Sequence, residues 1–261
     1  MAEHDITSFV ALGDSFTEGL NDFGPDGQPI GWADRVAVAL AAQVPGFRYA
    51  NLAVRGNLVR HVIAEQIEPA IAMAPDMVSI AAGGNDLLRR AEVDTLAAEF
   101  DSGVARLRAA GCRVLIFTGF DPLAFPVIRM LRGRIAAYNM HLRAIADERG
   151  CEVVDLWSMR VLRDPRAWSQ DRLHLTAEGH IRVALRACEV LGVPVDSDWR
   201  APLVVTGVSP RWLAARRQDA RWAKQYALPW VNRRLRHTSS GDDHPPKRPE
   251  LLPVEIMTEV R

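Results

Sequence analysis

The sequence has only three cysteines, at 112, 151 and 188, widely separated and without a CxxC spacing. That excludes a disulfide framework and the usual thiolate metal sites, and leaves small buried thiols as the reading of all three. Long hydrophobic runs are missing as well: no stretch approaches the roughly 20 apolar residues a membrane-spanning helix needs. Nor does one sign of charge dominate. The 32 Lys and Arg balance 32 Asp and Glu, so net charge selects no nucleic-acid or membrane partner. The first apolar segment, residues 9–12, leads directly into Gly13-Asp14-Ser15. Read as a cleaved signal it would remove the strand that feeds this turn, so a cytoplasmic location is expected.

What the chain does contain is an ordinary globular composition, 48% hydrophobic and 25% charged over 261 residues, enough to bury a large core. Five apolar, β-branched-rich runs, at 8–12, 47–53, 77–82, 113–118 and 152–156, alternate with helical patterns. Residues 30–44 carry Trp32, Val36, Leu40 and Val44 at helical spacing, and residues 93–110 carry Leu96, Phe100, Val104 and Leu107 likewise. Buried strands alternating with helices predict a parallel sheet covered on both faces. A last helix is predicted from Thr176 as N-cap to about Leu191, stopped by Gly192 and Pro194. The α/β domain is therefore expected over residues 1–195. Residues 196–261 form a basic, aromatic extension in which Arg211, Arg216, Arg217 and Arg221 are interleaved with Trp212, Trp222 and Trp230. A helix is expected over about 210–226, and residues 239–246 are a poor candidate for regular structure. The extension has two readings: its tryptophans anchor it onto the domain, or it docks on an anionic membrane surface, nucleic acid or another protein.

Ser15 stands where the first strand must turn sharply toward a helix, at the crevice where open α/β sheets bind ligands. Gly-Asp-Ser also occurs in ordinary turns, so its partners decide its meaning. A serine hydroxyl needs an adjacent base, itself oriented by a carboxylate. Asp171-Arg172-Leu173-His174 lies just before the last helix, and at this spacing the Asp171 carboxylate can reach the Nδ1–H of His174 and leave Nε2 directed at a serine. Oxyanion donors are available too: Gly56 after the second strand offers a backbone N–H, and Asn85 after the third an uncharged amide. A lone DxxH is common and glycines mark turns everywhere, but all four blocks converge on one sheet edge. The rival signatures are missing, with no GxSxG elbow, no P-loop lysine and no HExxH. His4, His61, His141, His180, His237 and His244 lack a partner at this spacing and read as surface or core groups. Asp14 and Asp86 read as supporting carboxylates.

Through Gly13, Asp14 and Ser15, then Gly56, then Gly83 and Asn85, then Asp171 and His174, the chain resembles the SGNH or GDSL-type hydrolases over about residues 8–192. Phe16 replaces the usual leucine after the serine. The resemblance implies a flavodoxin-like three-layer α/β/α sandwich with a five-stranded parallel sheet of order 2-1-3-4-5. It implies Ser15 as nucleophile, His174 as base and then acid, and Asp171 as orienting group. The oxyanion donors would be the Ser15 and Gly56 N–H groups and the Asn85 side chain. The expected activity is hydrolysis of carboxylic esters of short to medium acyl chain, without metal or organic cofactor. The alternative is carbohydrate O-deacetylation or O-acyl transfer by the same triad. The partner is then a small-molecule ester, with no nucleic acid expected. Phe23, Phe120 and Phe125, on segments predicted to border the site, are candidate substrate-binding residues.

Overall fold

Alternate residues of one strand face two separate cores. In the computed structural model, which describes residues 6–125, 128–204, 241 and 244–255, β1 (Ser8–Gly13) is buried along its whole length. Phe9 and Ala11 enter one apolar cluster, Val10 and Leu12 the other, as the two-residue period of a strand requires. The same division runs through β3 (Met77–Ala81) and β4 (Arg113–Phe117). Met77, Leu115 and Phe117 join the first cluster, and Val78, Ile80, Val114 and Ile116 the second. The first cluster is closed by Trp32, Val36 and Leu40 of the helix Trp32–Ala41 and by Val183 and Ala187 of the helix Ala177–Leu191. Phe100 and Val104 of Val93–Ala109 and Tyr138 and Leu142 of Arg132–Arg149 close the second. The result is three layers, helices on both faces of one sheet. Each large apolar side chain removed from water in this way contributes about 1.5–3 kcal/mol.

The sheet itself corrects the sequence reading. β1 pairs in parallel with β2 (Arg48–Asn51) and β3, β3 with β4, and β4 with β5 (Glu152–Val154). A sixth strand, β6 (Arg248–Pro253), then adds to β2 in antiparallel sense. The sheet is thus six-stranded and mixed, of order β5-β4-β3-β1-β2-β6, not a five-stranded all-parallel one. The reason is local. β6 reads Arg-Pro-Glu-Leu-Leu-Pro, without alternation and with two residues that cannot donate to a ladder, a composition compatible only with an edge. Further along, Trp199 and Leu203 are buried in the first cluster. The helix expected over 210–226, and with it Trp212, Trp222 and Trp230, lies outside the described residues.

The end of β1 is held in an uncommon way. Gly13 has φ +147°, and a Cβ there would overlap the Ala81 carbonyl oxygen and sit 2.7 Å from Thr17 Oγ1, so the turn into residue 15 requires glycine. Gln66, in the π-helical turn Val62–Gln66, accepts from the Gly13 N–H at 2.8 Å and donates to the Gly13 carbonyl at 2.9 Å. One buried amide therefore satisfies both backbone groups where the strand leaves the sheet.

Candidate active site

Ser15 opens the four-residue helix Ser15–Glu18, whose N-cap is Asp14: Asp14 Oδ1 accepts from the Phe16 N–H at 3.0 Å. The segment after β5 reaches the same place through two 3₁₀ turns, Arg160–Arg163 and Pro165–Ala167, and a bridge between Trp168 and Leu175. It then enters the last helix with Thr176 as N-cap. The loop between Trp168 and Leu175 carries Asp171 and His174. His174 Nε2 lies 3.0 Å from Ser15 Oγ, and His174 Nδ1 lies 2.7 Å from Asp171 Oδ2. An ionised carboxylate only accepts, which places the ring proton on Nδ1 and leaves Nε2 as the acceptor facing the hydroxyl.

Asp171 is itself held by groups the sequence did not single out. Asn21 donates to its Oδ2 at 2.6 Å, and Ser169 Oγ and the N–H groups of Leu173 and His174 donate to Oδ1 at 2.7, 2.9 and 3.0 Å. Burial works to raise the pKa of this carboxyl. The His174 hydrogen bond and charge, with the Ser169 and Leu173 donors, outweigh it and hold the group well below the usual carboxylate range. Asn21 lies 150 residues away in sequence. Its segment was expected beside the site, but only a turn conformation, φ +72°, marks the residue itself.

Gly56 and Asn85 both border the cavity that opens onto Ser15 and His174. Asn85 Nδ2 donates to Asp14 Oδ2 at 3.1 Å and to the Asn57 carbonyl at 3.0 Å. The amide is thereby fixed between the serine turn and the Gly56 turn at the cavity border, with both of its N–H donors engaged. Asp14 is buried beside it. Desolvation outweighs the Phe16 hydrogen bond and the attraction of His174, and with the nearby Asp86 and Glu18 charges it lifts the Asp14 carboxyl from the ordinary 3.8 to about 6. Between these two values the folded state binds the proton that the unfolded chain has lost, so this group makes stability rise as pH falls through about 6. Two units correspond to about 3 kcal/mol. Urea denaturation of the wild type and Asp14→Asn from pH 8 to pH 4 is expected to show the two stabilities diverging by an amount of that order, the wild type gaining relative to the variant toward low pH. Parallel profiles would refute the assignment.

The cavity has a volume of about 320 Å³. Phe120 lines it, tilted at 41° against Trp168 with 4.2 Å between ring centroids, and Trp168 lines it too. Phe125 does not line the cavity; it is buried behind that pair, edge-on to both rings. Phe23 is 57% exposed, bridged to Pro29, and is not among the cavity-lining residues. Apolar loop residues chosen by proximity in sequence cannot distinguish a wall from the packing behind it. Phe16 packs on Trp32 and Phe117. His180 is buried, accepts from the Trp32 N–H at 3.2 Å, and is kept neutral by burial, which pushes its pKa down to about 3.

A model of the GDSL-like lipase/acylhydrolase family matches residues 11–182, from β1 into the last helix. The chain belongs to that family. This GDSL-like protein is a serine-type ester hydrolase acting on small-molecule esters. It is 29% identical over 203 residues to an acetylxylan esterase of Geobacillus stearothermophilus, covering 66% of this chain and 88% of that one. Among solved structures, the acetylxylan esterase Axe2 of the same organism superposes with a TM-score of 0.59 at 22% identity, covering 74% of this chain and 95% of the other. TesA superposes with a TM-score of 0.61 at 22% identity, covering 70% and 97%. The psychrotrophic esterase EstA of Pseudoalteromonas sp. gives 0.58 at 15% identity, covering 71% and 97%. These structural likenesses establish that the GDSL-like fold is shared. Among the described residues, no helix of the GDSL-like protein is long and apolar enough to cross a membrane.

Proposed function

We propose that this hydrolase is a carbohydrate O-deacetylase working through an acetyl-enzyme on Ser15. The observation that carries the catalytic part is the hydrogen-bonded chain from Ser15 Oγ through His174 to Asp171, ending in the cavity bordered by Gly56 and Asn85. Ser15 Oγ attacks the ester carbonyl while His174 Nε2 takes its proton. The charge that develops on the carbonyl oxygen is met by the Ser15 and Gly56 N–H groups and by Asn85 Nδ2, which exchanges one of its bonds, to Asp14 or to the Asn57 carbonyl, for the oxyanion. His174 returns the proton to the departing sugar oxygen. It then deprotonates a water that attacks the acyl-serine, releasing acetate and restoring the hydroxyl. Asp171 holds the Nδ1 proton in place throughout and stabilises the imidazolium that forms. The acetyl and sugar parts of the reading rest on the 29% identity shared with the acetylxylan esterase across 66% of the chain.

A second reading, medium-chain acyl hydrolysis, is favoured by one feature. The inner wall of the cavity is apolar, built by Leu87, Ile135, Leu142 and Leu156, and offers more room than an acetyl group uses. Nitrophenyl esters from acetate to octanoate, assayed beside acetylated xylo-oligosaccharides with Ser15→Ala as control, separate the two. Deacetylation predicts acetate release from the sugar and a kcat/KM that falls with chain length. A kcat/KM rising toward octanoate, with the sugar untouched, would replace it by the second reading. Including a competing alcohol identifies acyl transfer by its ester product.

A further inference from the structure

The family match ends at residue 182, yet residue 241 and residues 244–255 return to the site from outside it. Lys247, the residue before β6, is set against the end of the short helix that Ser15 begins and against Pro29 and Asp34. The Lys247 side chain is 8% exposed, and its ammonium has three donors. All three are used: Glu18 O at 2.6 Å, Pro29 O at 2.9 Å and Asp34 Oδ2 at 2.6 Å. Glu18 is the last residue of the helix that Ser15 begins. Its own side chain, 2% exposed, accepts from the Arg55 N–H at 2.9 Å and pairs with the Arg55 guanidinium. Arg55 precedes Gly56. The returning segment touches this relay twice more: His244 Nε2 lies 3.6 Å from Glu18 Oε1, and Gly241 packs so closely on the Arg55 carbonyl oxygen that a Cβ would overlap it.

We propose that Lys247 is a positioning residue of the active site, which through Glu18 and Arg55 sets the separation between Ser15 and the Gly56 N–H. The residue whose backbone Lys247 grips is the same one whose carboxylate grips the Gly56 turn, so the two oxyanion-bearing elements are braced by one buried cation. An oxyanion site works only while its donors stay aimed at the position the charge will occupy, and a displacement of about 1 Å can cost on the order of 100-fold in rate. The inference rests on the roles given to Ser15 and Gly56 in the proposed function.

The test is steady-state hydrolysis of nitrophenyl acetate by full-length Lys247→Met, Lys247→Arg and Glu18→Gln, each well below its melting temperature. Lys247→Met is expected to lower kcat by about 10- to 100-fold with KM nearly unchanged. Lys247→Arg, which keeps the charge and the donors, should recover most of that loss, and Glu18→Gln should lower kcat in the same way. A lowered melting temperature with wild-type kcat in folded Lys247→Met would overturn the proposal, as would a loss that Lys247→Arg leaves unrecovered. If Lys247→Met does not fold, Glu18→Gln decides: wild-type kcat there removes the relay. An active Ser15→Ala would take away the underlying reading and this inference with it. An inactive Ser15→Ala beside a fully active Lys247→Met removes this inference alone.

Discussion

Replacing Ser15 by alanine is expected to lower kcat on an acetyl ester by about 10⁴- to 10⁶-fold, leave KM within a few-fold, and abolish labelling by a fluorophosphonate. The size follows from the role. Without the hydroxyl no acyl-enzyme forms, and a bound ester is left with the oxyanion donors and the walls of the cavity. Those alone retain about 10³- to 10⁴-fold acceleration over water in enzymes of this design, so a small residual rate is expected. Folding should be unaffected, because Ser15 caps no other element: the N-cap bond of its helix is made by Asp14 to the Phe16 N–H. Circular dichroism and the melting temperature check that point. Labelling that persists in Ser15→Ala would place the nucleophile elsewhere.

His174→Ala is expected to be as damaging as Ser15→Ala in kcat, and the double variant no worse than either single one, since the two side chains act as a unit. Nε2 is the acceptor 3.0 Å from Ser15 Oγ, and no other ring is hydrogen-bonded to that hydroxyl among the described residues. His180, the other imidazole at the cavity, has its Nδ1 committed to the Trp32 N–H and cannot substitute. Asp171→Asn should be milder by about 10- to 100-fold. Its amide would favour the wrong tautomer of the ring, while the loop keeps its bridge between Trp168 and Leu175. Additive losses in the double variant would argue that Ser15 and His174 work in separate steps.

The parts of the site legible in the sequence are those that a short local pattern fixes. Asp171 and His174 are three residues apart on one loop, and Thr176, which caps the next helix through the Gly179 N–H, announces where that loop must end. Gly13 and Ser15 follow an unbroken apolar strand, so their placement at the sheet edge follows from the strand's burial. Asn21, Gln66 and Lys247 were not legible, because each acts through a contact spanning 53 residues or more and none sits in a pattern. Each is a single polar side chain whose partner is decided only when distant segments pack. The same limit applies to the fold. β1, β3 and β4 are buried on both faces and almost continuously apolar, whereas β6 lies at an edge with both its leucines partly exposed.

That edge bears on association. A parallel sheet ending at β2 would present a row of unpaired backbone groups, a template on which a second copy of the chain could add a strand. β6 occupies the row. It carries Pro249 and Pro253, which have no N–H to offer outward, so the new margin is a poorer template than the one it covers. The opposite margin, β5, is only three residues long. The returning segment therefore guards the sheet against self-templated growth.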